Sequence, residues 1–130
     1  MGMVLPLLAG CRLDGLVFVQ DDAIVITSPA NLATVREPVQ LSWTATTSAA
    51  TFAVFVDTVP MDVGEKIDRN LPQDQALETS TTSVRLSNLR PGQGATDQER
   101  NHHEATVVIV DSEGRRQGEQ FASVEFTVRP

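Results

Sequence analysis

The sequence predicts an all-β fold, a single antiparallel β-sandwich of about seven strands with two long polar loops. The first observation behind this prediction is that apolar and polar residues alternate with a period of two in several short runs, which is typical of strands that bury one face. The second is that no segment carries the apolar stripe of a long amphipathic helix. The chain has 130 residues, a length that suits one domain around one core.

The predicted strands follow one another along most of the chain. Residues 16–20 and 23–27 form one long bent strand or two short ones. In the next strand, Val39, Leu41 and Trp43 point to one face and the polar residues between them point to the other. Residues 105–111 are apolar throughout their middle, which indicates a central strand covered on both faces. Further strands are predicted at 51–57, 83–89 and 123–129.

Turns and loops separate these strands. Residues 111–119 suit an antiparallel hairpin with an extended tip. Residues 58–81 and 90–103 form the two long polar loops, and we expect them to be contact surfaces because loops of this length are usually functional. The best candidate for a short helix lies at 66–77, where Pro72 interrupts it.

Several stretches of the chain carry the pattern of a known family. The stretch SPANLATVREPVQLSWTA joins a proline-bearing first strand to a second strand whose apolar residues alternate up to Trp43. FAVFVD, VRLSNLRPG and ATVVIVDSEGRR follow in that order. Together they resemble the fibronectin type III and immunoglobulin-like domains of bacterial surface proteins, over residues 24–128. The resemblance implies a sandwich core marked by Trp43, Phe52, Leu86 and Leu89.

The only cysteine of the chain follows a short apolar run. Leu8, Ala9, Gly10 and Cys11 resemble the signal of bacterial lipoproteins, in which a leucine and two small residues precede a lipid-carrying cysteine. The resemblance implies a lipid on Cys11 and recognition of the three preceding residues by the signal peptidase. It divides the chain into a signal-like segment at 1–10, a tether or extra strand at 11–22 and the β-sandwich domain at 23–130. The alternative is an ordinary buried cysteine in a first strand.

Charge and cysteine content exclude several classes of protein. The formal net charge of −7 argues against binding to nucleic acids and to anionic lipid headgroups, since both require a basic surface. A single cysteine cannot form a disulfide within the chain, and it excludes a zinc site built on paired cysteines. No apolar run reaches the ~18–20 residues of a membrane-spanning helix.

Two adjacent histidines, His102 and His103, lie beside Glu99 and Glu104 and could ligate a metal ion. Neighbouring residues of a strand point to opposite faces, however, so such a pair rarely binds one ion. We therefore predict solvated histidines that lead into a strand, and no metal site.

Acidic residues gather in the first long loop, where calcium ions would find carboxylate ligands. Their spacing matches no known calcium-binding loop, so a solvated acidic face is the favoured interpretation. The residues concerned are Asp57, Asp62, Glu65 and Asp68.

The sequence contains no catalytic motif: it has no nucleophile elbow, no phosphate-binding glycine loop and no histidine-rich metal helix.

We predict a non-enzymatic, lipid-anchored, extracytoplasmic module of a bacterial cell envelope, without cofactors, that binds or scaffolds proteins. An accessory subunit of a membrane protein complex is one form of that role. One alternative is a carbohydrate- or ligand-binding module, which would expose Trp43 or Phe55 for stacking. Another is a structural spacer of a larger surface protein.

Overall fold

The computed structural model describes residues 23–46 and 51–129, and these residues form an all-β chain with two sheets. They contain eight strands, where the sequence predicts about seven, and one short helix. The predicted signal-like segment, the tether and the strand at 16–20 lie outside the described residues. The elements are β1 Ile24–Ser28, β2 Ala33–Arg36, β3 Val39–Ala45, β4 Phe52–Val56, β5 Ala76–Thr79, β6 Ser83–Leu86, α1 Asp97–Arg100, β7 His102–Val110 and β8 Arg116–Arg129.

The two sheets differ in size. The three-stranded sheet has the order β1-β3-β6, and the five-stranded sheet has the order β2-β8-β7-β4-β5. Neighbouring strands are antiparallel except for β2 and β8, which are parallel. The chain changes sheets between β1 and β2, where the N–H of Leu32 donates to the carbonyl of Glu125 at 2.6 Å. The sequence does not predict β2, because this four-residue strand lies between two proline-containing turns.

Side chains of both sheets meet in one buried set, which we call the inner cluster. In β3, the alternation expected from the sequence is confirmed, because Val39, Leu41 and Trp43 are buried. The Trp43 ring lies edge-on to the Phe52 ring of the other sheet, with centroids 5.5 Å apart. The cluster comprises Ile24, Val39, Leu41, Trp43, Phe52, Val54, Val56, Leu86, Ala105, Val107, Ile109, Val124 and Phe126.

The opposite face of the five-stranded sheet buries a second set, the outer cluster: Ala53, Phe55, Ile67, Ala76, Val108 and Val110. Six consecutive residues of β7, Ala105–Val110, are consequently buried, which confirms the prediction of a strand covered on both faces. The cover comes from the first long loop, whose Ile67 packs into the cluster with Met61 and Leu71 beside it.

The prediction of a continuous polar loop at 58–81 is therefore wrong. Ile67 anchors it to the sheet, Lys66 forms an antiparallel bridge with Arg115, and residues Ala76–Thr79 form β5. Residues 66–77, which are only the best candidate for a short helix in the sequence, form no helix. The apolar residues of this segment are spaced irregularly because they pack onto a sheet from a loop. Irregular spacing has no period from which a helix or strand could be predicted.

The second long loop is also shorter than predicted, since β7 already begins at His102.

Before β7, α1 starts with a capping box: Glu99 N–H donates to the Thr96 hydroxyl, and the Glu99 carboxylate accepts from Thr96 N–H. The backbone N–H groups of Thr96 and Ala95 lower the pKa of the Glu99 carboxyl below its ordinary value. The spacing Thr-x-x-Glu was the available sequence signal for this turn of helix.

The predicted hairpin between the last two strands is confirmed, with a tighter tip than expected. The Asp111 carboxylate accepts hydrogen bonds from the N–H groups of Glu113 and Arg115, both at 2.9 Å. The bond from Arg115 is the main reason why the pKa of Asp111 is lowered. Gly114, at φ +84°, passes so close to Ile67 that a Cβ there would lie 2.8 Å from its Cγ2 atom. The turn and the loop above the sheet are thus packed together.

The inner cluster makes one clear prediction about stability. Phe126→Ala should lower the free energy of unfolding by about 3–5 kcal/mol, because it leaves a cavity among close-packed side chains. Phe121→Ala is the matched control, since Phe121 lies on the same strand but is 53% exposed. Urea unfolding followed by the fluorescence of Trp43, the single tryptophan, measures both. Equal losses in the two variants would contradict this account of the core.

Candidate functional site

A groove of about 610 Å³ lies on the outer face of the five-stranded sheet, between β8 and the segment that follows β4; we call it the outer groove. The outer cluster covers the β4 and β7 part of this face, and the groove begins where that cover ends. Its lining residues are Asp57, Thr58, Val59, Pro60, Asp62, Glu104, Thr106, Arg116, Phe121 and Ser123.

Two hydroxyl groups form the floor of the outer groove. Thr106 of β7 pairs with Ser123 of β8 in the antiparallel register, and their side-chain oxygens are 3.0 Å apart. Because strand residues alternate between faces, Glu104 and Phe121 leave the sheet on this same side. The groove therefore combines a polar floor with one exposed aromatic ring and one carboxylate from the sheet itself.

Arg116 holds the far wall of the groove in place. Its Nη1 atom donates to the carbonyl of Met61 at 2.9 Å, and its Nη2 atom donates to the carbonyl of Glu119 at 3.3 Å. Its backbone N–H donates to the backbone carbonyl of Glu65, and its backbone carbonyl accepts from the N–H of Gly64. The buried Nε atom has no hydrogen-bond partner among the described residues. Arg116 thus clamps the covering segment to the start of β8.

A buried histidine fixes the near end of the groove. His103 is 1% exposed, and its Nδ1 atom lies 2.6 Å from Oδ2 of Asp57. The other carboxylate oxygen of Asp57 accepts from the N–H of Glu104 at 2.9 Å. The backbone N–H of Asp57 donates to the carbonyl of Glu104 at 2.8 Å, and Asp57 adopts φ +53°. Asp57 therefore joins the end of β4 to the start of β7 while its side chain remains 45% exposed.

The two adjacent histidines lie on opposite faces of the strand, as the strand geometry predicts. His102 points outward, with Nε2 2.9 Å from the Glu125 carboxylate, whereas His103 packs inside against the ring of Phe126. The prediction that both are solvated is wrong for His103. Sequence reasoning missed its partner because Asp57 lies 46 residues earlier in the chain, and no local pattern relates the two.

The acidic residues of the first long loop have separate partners and do not converge. The Glu65 carboxylate accepts from the N–H of Asp62, and the Asp68 carboxylate accepts from the N–H of Asn70. Across residues 23–46 and 51–129, no group of three or more His, Cys, Asp or Glu side chains is placed to hold a metal ion.

The other residues singled out by the sequence lie far from the groove or outside the described part of the chain. Trp43, Phe52 and Leu86 are each 2% exposed in the inner cluster, and Leu89 packs against its edge. Leu8, Ala9, Gly10 and Cys11 belong to the residues that the structure does not describe. Within the part that it does describe, no helix is long and apolar enough to cross a membrane.

Comparisons of the chain with protein-family models, with curated proteins and with solved structures found no significant match. The function of the chain therefore has to be inferred from its own contacts. The outer groove, the Arg116 clamp and the Asp57–His103 pair are the features that bear on it.

The Asp57–His103 pair predicts a graded response to substitution. Asp57→Ala removes both side-chain hydrogen bonds and places an alanine at positive φ, so we expect a loss of about 2–4 kcal/mol in the free energy of unfolding. Asp57→Asn keeps one side-chain oxygen that can accept from the N–H of Glu104, places an amide nitrogen that can donate to Nδ1 of His103, and tolerates this backbone conformation, so it should lose clearly less. Urea unfolding of both variants measures the difference. Equal losses would mean that the side-chain hydrogen bonds contribute nothing.

Proposed function

We propose that this protein is a non-enzymatic interaction module whose outer groove binds a protein partner. The observation that carries the proposal is the exposed apolar surface at the groove, where Phe121 is 53% and Val59 is 88% exposed. Apolar side chains exposed together beside a concave surface are typical of interaction sites. Phe121 stands on a strand, and Arg116 holds the segment that follows Val59 through its bond to the carbonyl of Met61, so the surface is largely preformed.

We propose a fibronectin type III-like or immunoglobulin-like sandwich as the scaffold of this module. The strand order supports it. When β1, β3, β4, β6, β7 and β8 are lettered A, B, C, E, F and G, one sheet has the order A-B-E and the other contains G-F-C. In immunoglobulin-like domains one sheet contains strands A, B and E together with D, and the other contains C, F and G. β5, which carries no letter here, extends the second sheet beyond strand C.

Protein binding is a better proposal than carbohydrate binding. The carbohydrate alternative expects Trp43 or Phe55 on the surface, where a sugar ring could stack on it. Each of these side chains is 2% exposed. The Trp43 ring packs against Phe52, and Phe55 belongs to the outer cluster. The alternative of a structural spacer does not explain why the apolar side chains of Phe121 and Val59 are exposed at the groove.

The same proposal places the module at a bacterial cell envelope, held by a lipid on Cys11. What supports this part is the sequence alone: Leu8, Ala9 and Gly10 before the single cysteine, and residues 12–22 as a tether of sufficient length. The net charge of −7 makes direct adsorption to anionic headgroups unfavourable. A covalent anchor with more than one acyl chain would supply stable attachment.

Metabolic labelling tests the anchor. The full chain, expressed in a bacterium grown with an alkyne-bearing fatty acid, should carry the label and fractionate with membranes. Cys11→Ser should remove the label and release the protein, because the thiol is the only possible thioether acceptor in the chain. An unlabelled wild-type chain, or labelling that persists in Cys11→Ser, contradicts the lipoprotein proposal.

Site-specific photocrosslinking tests the interaction. A photoreactive amino acid at position 121 should give discrete cross-linked products in the native host, since Phe121 lies in the outer groove. The matched control is the same amino acid at position 25, because Val25 is comparably exposed at 45% but lies on the three-stranded sheet. No product at position 121, or the same products at both positions, would overturn the proposed function.

A further inference from the structure

We propose that the partner presents an extended, basic and apolar segment, which adds as a strand to the open edge of β8 and directs alternate side chains toward the outer groove. This inference rests on the proposed function and names the class of partner for the same site. Strand addition is an established mode of peptide recognition, in which main-chain hydrogen bonds give affinity and side-chain pockets give specificity.

The first step concerns the edge itself. β8 runs over Arg116–Arg129, and β7 pairs with it along one side. On the other side, β2 pairs only with its last four residues, Phe126 to Arg129, and the turn before β2 reaches Glu125. Among the described residues, no strand pairs with the outer side of β8 before Glu125.

The second step concerns the direction of the backbone groups. Val128 N–H donates toward the β7 side, to Asn101, whereas Glu125 N–H donates to the Asn31 side chain on the β2 side. Because these directions alternate along an antiparallel strand, Phe121 and Ser123 present N–H and C=O groups to the β2 side. An added strand of about six residues could form hydrogen bonds with these groups. It would lie in line with β2, along the same side of β8.

The third step concerns the side chains that the added strand would meet. Phe121 and Ser123 point from this edge into the outer groove, so the residues of an added strand that point to the same face would lie beside the exposed ring of Phe121. Apolar residues suit that position. The intervening residues of the strand would point to the opposite face of the sheet.

The fourth step concerns charge. Three carboxylates, those of Asp57, Asp62 and Glu104, line the groove, and the one guanidinium, that of Arg116, is bonded to backbone carbonyls. Lysine or arginine at other positions on the groove-facing side of the added segment would therefore be attracted. A second copy of this chain is a poor occupant, because two β8 edges would bring together the acidic side chains of Glu119 and Glu125 and two chains of net charge −7.

Peptide binding to the full chain tests the inference. The probe is a fluorescent peptide of about eight residues with the sequence Val-Thr-Lys-Thr-Val-Thr-Lys-Thr, in which valine and lysine share one face, compared by anisotropy with the same peptide carrying glutamate in place of lysine. The lysine peptide should bind saturably, and the glutamate peptide should bind at least about tenfold more weakly. Absence of saturable binding, or equal binding of the two peptides, overturns the inference.

A matched pair of variants separates strand addition from simple charge attraction. Ser123→Pro removes the N–H that faces the open edge but leaves the β7 side of the ladder intact, so affinity should fall about tenfold. Ser123→Ala loses the hydroxyl contact to Thr106 but keeps the N–H, so its affinity should stay within about twofold. Equal affinities of the proline and alanine variants overturn strand addition.

A second pair of variants keeps the test decisive if Ser123→Pro does not fold, which its urea transition would reveal. Phe121→Ser should weaken binding of the lysine peptide, whereas Val25→Ser, on the other sheet, should not. Asp62→Lys should narrow the preference for the lysine peptide over the glutamate peptide. Unchanged binding in Phe121→Ser and Asp62→Lys overturns the inference.

The two proposals fail in different ways. A cross-link from position 121 that persists in Ser123→Pro contradicts strand addition but leaves protein binding at the groove standing. No cross-link from position 121 contradicts the proposed function itself. If sedimentation shows a dimer of the chain that Ser123→Pro abolishes, the edge binds a second copy, and the inference about a basic partner is wrong.

Discussion

The burial of β7 on both faces is the constraint on which the rest of this structure depends. Ala105, Val107 and Ile109 face the inner cluster, and Val108 and Val110 face the outer cluster. A strand without a polar face requires a cover on each side. The three-stranded sheet covers one side. The segment around Ile67 covers the other side, and among the described residues the cover extends only over β4 and β7, which leaves β8 partly open.

The outer groove is a consequence of this incomplete cover. Arg116 and the packing of Gly114 against Ile67 hold the covering segment against the hairpin, so the edge of the cover is well defined. Asp57 fixes the other end, because its carboxylate is bonded both to the buried His103 and to the backbone of Glu104. Residues that stabilise the fold therefore also set the width of the groove. A groove framed in this way needs little rearrangement to accept an extended segment.

Charge connects the groove with the rest of the molecule. An acidic protein is repelled by nucleic acids and by anionic membranes. The lipid proposed on Cys11 would supply the attachment, and a basic protein segment would supply the partner. The carboxylates on β8 also discourage this strand from pairing with a second copy of itself. The carboxylates of the groove thus favour a basic occupant, and those on β8 disfavour a second copy.

The sequence by itself determined the strand class, the inward faces of β3 and the central position of β7, because these follow from periods of two and from continuous apolar runs. It also determined the acidic surface and singled out Cys11. Only the tertiary structure decided that the first long loop covers a sheet, that His103 pairs with Asp57 across 46 residues, and that Phe121 stands at an open edge. These features depend on contacts between segments distant in the chain. Patterns of apolar and polar residues within one segment do not indicate such contacts.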